Sequence, residues 1–234
     1  GNVWKRLCQE TQNSLVSGMT LWKAYKNIDD PNFDFSGICI LATSALENEL
    51  RKIFFEEFQE FVKNQTGGKI NRYPSIFTYR KGTELVAGKS EYFALGKMPF
   101  LFGQTGKDPS SEDLSDIKRL NDFREKYLES IIDSQKMIDS GFASFSECFT
   151  KPFFSKNSEL KKEKNFHVYY KGSLISEFED IRNKYRNKSA HQGGLRRDEA
   201  HDCCNLVFGS SIMGDNDLEK VLGLIQKVYY LLKQ

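Results

Sequence analysis

The segment from Ser36 to about Lys63 places the tightest limit on what this chain can fold into. Leu46, Leu50, Ile53, Phe54, Phe58, Phe61 and Val62 recur at three- and four-residue steps, the period of one helix face. Its opening turns, Ile38 to Ala45, are apolar nearly all round, and a helix without a polar face is stable only in an interior. Ser36 is the expected N-cap. A helix of this kind needs others around it, and the chain supplies them. The same period runs from about Trp4 to Tyr25 through Leu7, Leu15, Met19 and Trp22, and Asp29-Asp30-Pro31 ends it. Ser110-Ser111-Glu112-Asp113 opens a helix carried by Leu114, Ile117, Leu120, Phe123, Tyr127, Ile131 and Ile138 to about Ser140. Gly172-Ser173 opens another, with Leu174, Phe178, Ile181 and Tyr185 as its core face. Asp198 begins a helix through about Phe208, and a last one spans roughly Asp217 to Lys233. The expectation is a single all-α domain over residues 1–234, a bundle of five or six helices.

The stretch at about 66–109 departs from this pattern. Seven of the 17 glycines fall between Thr66 and Lys107, among short aromatic clusters. Tyr79-Arg80-Lys81-Gly82-Thr83 reads as a tight turn between two short strands. An irregular Gly-rich insertion carrying a short β-hairpin is expected here. Its glycines match no phosphate-binding spacing, so turn chemistry accounts for them.

Net charge is only +2, so no global field draws nucleic acid, and any attraction must come from a local patch. No apolar run reaches the roughly 18 residues of a membrane span, and no membrane partner is expected. The five cysteines form no CxxC pair, which fits free thiols in a reducing compartment and a cytoplasmic location. His191, His201, Cys203 and Cys204 match no zinc-ligand spacing, so neither a metal nor another cofactor is expected. The chain begins Gly1-Asn2 without a Met, which suits an effector domain cut from a larger protein.

A local patch does exist. From Ile181 to Arg197 the chain holds six Lys or Arg residues and no Asp or Glu, and it runs from a helical segment into Gly193-Gly194. Asn187 and His191, four apart, share a helix face. Arg186 lies about 140° from His191 on a straight helix, across the core stripe. The two converge only if the helix distorts at Ala190, before the glycines, or if a second copy of the helix brings its own set across a two-fold axis. Glu47, Asn48 and Glu49 follow the buried turn of the second helix. A solvated face is the commoner outcome there, and a carboxylate facing a cleft is the alternative.

Arg186-Asn187-x-x-x-His191 resembles the RNxxxH signature of the HEPN superfamily (higher eukaryotes and prokaryotes nucleotide-binding). The context is similar too: IRNKYRNKSAHQGGL at 181–195, RDEAHDC at 197–203, LATSALENELRKIFFEEF at 41–58 and YFALGKMPFLFG at 92–103. The resemblance implies a helical bundle that dimerises, and a metal-independent endoribonuclease in defence or toxin–antitoxin biology. It implies that His191 is the general acid/base, that Arg186 stabilises charge on the phosphate, and that Asn187 orients either of them. Glu47 is carried over as a polar residue of the second helix. Arg182, Lys184, Lys188, Arg196 and Arg197 are the candidate RNA-backbone contacts. An antitoxin or regulatory protein is a further implied partner. The alternative is a catalytically silent module for RNA binding, protein interaction or dimerisation. Light scattering on the purified chain tests the composite site: a mass twice that of the chain is expected, and a strict monomer counts against it.

Overall fold

The computed structural model of the protein describes residues 2–68, 78–79, 83–84, 122–140, 142–143, 174–191, 194–210 and 223–233. Outside them lie most of the 66–109 insertion, including 92–103, the start of the helix expected from Ser110, the connector at 155–165, His167 and the first half of the last helix. The described residues are mostly helical. Thr78–Tyr79 and Thr83–Glu84 (β1 and β2) pair antiparallel, with Thr78 opposite Glu84 and Tyr79 opposite Thr83, where two short strands are expected. None of the described helices is long and apolar enough to cross a membrane.

The chain divides into two compact units. The first takes residues 1–49, 164–171 and 176–231. It opens with α1 (Asn2–Arg6) and α2 (Gln9–Tyr25), so the single helix expected from Trp4 to Tyr25 is broken at Leu7-Cys8. Next comes α3 (Ser36–Leu50), the apolar helix, with Cys39, Ala42, Ala45 and Leu46 essentially inaccessible. Thr43, on the same helix, turns its hydroxyl onto the Cys39 carbonyl at 2.8 Å, so its burial leaves no donor unmet.

Near the C-terminal part of this unit, α7 (Leu174–Ile181), a π-helical turn (Arg182–Arg186) and α8 (Asn187–His191) run on without interruption. Then α9 (Arg197–Phe208) packs against both that turn and α10 (Leu224–Leu231). Gly209 ends α9 with φ of 86°, a left-handed conformation that suits glycine. A Cβ on Gly223 would meet the backbone of Phe208 and Gly209, so only glycine allows α10 to start so close to the end of α9. Between α7 and α10 the Lys227 Nζ lies 2.8 and 3.0 Å from the Glu177 carboxylate oxygens, both side chains buried. Burial pushes the Glu177 carboxyl up and the Lys227 ammonium down, and each opposes that shift in the other.

The second unit takes residues 50–163, 172–175 and 232–234. It holds a second π-helical turn (Arg51–Glu56) and α4 (Glu57–Gln65), then a helical stretch over 122–131, here α5, and α6 (Ser134–Asp139). The helix expected to run on to Ser140 breaks at Ile132-Asp133. Asp133 is the reason: its carboxylate accepts from the Gln135 and Lys136 amides at 3.0 and 3.2 Å and starts a new helix. Ile132 pairs in extended form with Leu232 instead. Tyr127 packs its ring against Phe58 and Phe61 and donates its hydroxyl to the Ile53 carbonyl, within the π-helical turn.

Removing one partner of the Glu177–Lys227 pair strands the other in the core. Glu177→Gln is expected to lower unfolding free energy by about 3–5 kcal/mol, read by urea titration. Glu177→Leu combined with Lys227→Met should recover most of it.

Candidate functional site

The Arg182–Arg186 turn carries the first residues of the basic stretch. Its hydrogen bonds skip one residue farther than an α-helix allows, as in Asn187 N to Arg182 O. Such turns cost regular helix bonding and are frequent where a side chain must be re-aimed for function. The helical distortion therefore lies at Arg182–Arg186 and not at Ala190, and α8 is regular up to His191. Tyr185 is buried, and burial with the nearby Asp202 pushes its phenol well up, so it serves as a neutral anchor.

That anchoring brings Arg186 to Glu47. The guanidinium Nε lies 3.6 Å from Glu47 Oε2, with the side chains 34% and 19% exposed. The arginine Nε itself is buried. Two residues singled out on separate helices thus meet in one partly shielded ion pair, at a separation longer than a hydrogen bond. Asn187 is exposed at the start of α8, and His191 closes that helix, its side chain lying outside the described residues.

Glu49, two residues beyond Glu47, is only 1% exposed, which corrects the expectation of a solvated face. Its carboxylate accepts from the Cys8 amide at 2.7 Å and from the Tyr229 hydroxyl at 2.5 Å. Cys8 is the N-cap of α2 and provides no side-chain cap, so Glu49 completes that helix end with a charge of favourable sign. Burial, helped by Glu49, pushes the Tyr229 phenol up and keeps it a donor. Arg6 lies over the Tyr229 ring at 4.9 Å. Glu49 is a structural carboxylate.

The other basic residues divide by partner. Lys184 pairs with Asp180 at 3.3 Å on the surface, a contact too exposed to hold it. Lys188 binds Glu199 at 2.5 Å and so ties α8 to the first turn of α9. Arg182 is half-buried, whereas Arg196 and Arg197 are exposed. His201 is half-buried and stacks on Trp22, with ring centroids 5.4 Å apart. Cys39, Cys203 and Cys204 are buried free thiols, and among the described residues no cluster of His, Cys, Asp or Glu could hold a metal ion.

Asp34 was not singled out by periodicity, yet it fastens the loop after the motif. Its Oδ1 accepts from the Ser36 amide at 2.8 Å and the Leu195 amide at 3.1 Å, while Ser36 Oγ also accepts from Leu195. The Phe35 amide returns a bond to the Leu195 carbonyl at 2.9 Å. A Cβ on Gly194 would lie 3.0 Å from the Asp34 carboxylate, so the glycine makes room for this clasp. The Asp-x-Ser spacing before a helix was the available signal. No family model, curated protein or solved structure matches the chain.

The Ser36 hydroxyl first, then the Ser36 and Leu195 amides, hold the Asp34 carboxyl below its ordinary range. A depressed folded-state pKa means that ionised Asp34 stabilises the fold above its unfolded value of about 3.9 and loses this as pH falls through the folded value. Asp34→Asn should therefore lower the melting temperature at neutral pH and flatten its decline at acid pH. An unchanged acid limb in scanning calorimetry would remove Asp34 from the account.

Proposed function

We propose that the protein is a HEPN-like, metal-independent endoribonuclease that acts as a dimer, in defence or as a regulated toxin. The meeting of Arg186 and Glu47 carries this reading. The arginine sits on a π-turn, a distortion frequent at functional sites, and meets a carboxylate of the largely buried α3. In the proposed reaction the RNA 2′-oxygen attacks its own phosphorus and the 5′-oxygen leaves. His191 takes the first proton or delivers the second, a task suited to an imidazole near neutrality. Arg186 meets the charge that grows on the phosphoryl oxygens. With Nε turned to Glu47, its Nη donors are the ones a phosphate would meet. Glu47 holds the fork in place, and Asn187 orients His191 or the phosphate. A second copy of the chain brings its own His191 towards Arg186, since five residues of a straight helix separate the two by about 140°. The products are a 2′,3′-cyclic phosphate and a 5′-hydroxyl, and no cofactor takes part. Lys184, Arg196 and Arg197 are the exposed cations for RNA backbone, with Arg182 and Lys188 nearer the helix body.

A second reading has one observation in its favour: the Arg186 charge already has a counter-ion in Glu47. In that case the domain is catalytically silent and binds RNA, a regulatory protein or its own copy.

Incubation of the purified protein with total RNA in EDTA separates the two. Wild-type cleavage is expected, with Arg186→Ala and His191→Ala each reducing it by at least about a hundredfold, as for loss of a transition-state donor or a proton-transfer group. Glu47→Gln should reduce it less, by about tenfold. Full activity in the Arg186 and His191 variants would overturn the site, and the absence of cleavage on any RNA would favour the silent module.

A further inference from the structure

The proposed reaction gives Lys188 only a place near the helix body and gives Glu199 no part at all. Yet Glu199, in the first turn of α9, uses both of its carboxylate oxygens. Oε1 accepts from Lys188 Nζ at 2.5 Å, and Oε2 accepts from the Arg196 amide at 2.9 Å. Lys188 precedes His191 by one helical turn in α8, and Arg196 follows it as the residue that opens α9. One carboxylate thus fastens the chain on both sides of the motif histidine. We propose that Glu199 and Lys188 are positioning residues, which hold the His191 end of α8 in place by closing the segment 188–196 on itself. Lys188 is then a strut and not an RNA contact.

The first support is the weakness of the element itself. α8 is the last part of a continuous helical run, and a terminal turn frays unless something outside the helix holds it. Asn187 is exposed, and Ser189 turns its hydroxyl back to the Arg186 carbonyl at 3.1 Å, within the same run. Lys188 reaches out of the helix to another element. The second support is the quality of that contact. Its side chains are 37% and 31% exposed, against 63% and 64% for the 3.3 Å pair of Lys184 with Asp180. A short, charge-assisted bond with half its surroundings dry outweighs an open surface pair. Burial raises the Glu199 carboxyl, but the Arg196 amide and then Lys188 bring it below its ordinary range, so both donors meet a carboxylate. The third support is the anchor. Leu195, next to Arg196, is tied by its amide to Asp34 and Ser36 and by its carbonyl to the Phe35 amide. Glu199 therefore holds Lys188 against a point that is itself fixed. A cap at the start of α9 needs one carboxylate oxygen, and the second is the one that serves α8.

The inference rests on the endoribonuclease reading for what His191 does, whereas the clamp itself can be read without RNA. By amide hydrogen exchange, Glu199→Gln and Lys188→Met should each quicken exchange in α8 on the order of fivefold and leave α3 unchanged. On RNA, each should lower kcat by roughly three- to tenfold with KM unaltered, as for a misplaced proton-transfer group. The double variant should lose no more than either single one, because both remove the same contact. Glu199→Gln keeps an oxygen for the Arg196 amide, so it breaks the clamp and spares the cap. Were Lys188 an RNA contact, Lys188→Met would raise KM, and Glu199→Gln, which releases Lys188, would lower it. Either shift in KM overturns the proposal, and so do additive losses in kcat or unchanged exchange in α8. Faster α8 exchange in both variants of a protein that cleaves no RNA upholds the clamp and ends the ribonuclease reading.

Discussion

Burying one side of α3 obliges the polar groups on that side to find partners inside the protein. Ile38, Cys39, Ala42, Ala45 and Leu46 are buried while Gly37, Ile40, Leu41 and Ser44 keep a partly exposed stripe, and an unmet donor or charge on the buried side is heavily penalised. Thr43 bonds back to its own helix, Glu49 takes the Cys8 amide and the Tyr229 hydroxyl, and Glu47 faces Arg186. Thr11 of α2 in turn donates to the Ala45 carbonyl at 3.1 Å. One buried helix therefore sets the start of α2, the position of α10 and the aim of the arginine on the π-turn. The candidate site is a by-product of satisfying that helix.

A second tier of constraints works at the two ends of the basic stretch. At one end the π-turn shifts the helix register, with Tyr185 locked in the core and Arg186 beside it. At the other, Asp34 and Ser36 hold Leu195, and Gly194 lets the chain pass close to the carboxylate. Among the described residues between these points lies α8, a short helix that carries Asn187 and His191. The Lys188–Glu199 pair ties α9 to it, and with α9 come Arg197 and Asp198.

Charge is distributed in the same economical way. The protein is nearly neutral overall, and its deepest charges are matched within the fold, as in Glu177–Lys227. Lys26, Lys184, Arg196 and Arg197 are among the cations left at the surface. Attraction from exposed charges of this kind falls off within a Debye length.

Helix identity was legible in the residues because burial has a period: wherever apolar side chains recur at three and four, one face had to be covered. The same rule could not find breaks. Cys8 and Asp133 interrupt apolar stripes that continue unbroken in the sequence, since a hydrogen bond and not hydrophobicity decides where a helix starts afresh. Nor could it find the π-turn, whose extra residue leaves no mark in an apolar pattern. Arg186, Asn187, His191 and Glu47 could be chosen from residue type and spacing, yet Glu47 and Glu49 look alike in the sequence. Only the tertiary structure separated them, because two steps along α3 turn one carboxylate to an arginine and the other into the core.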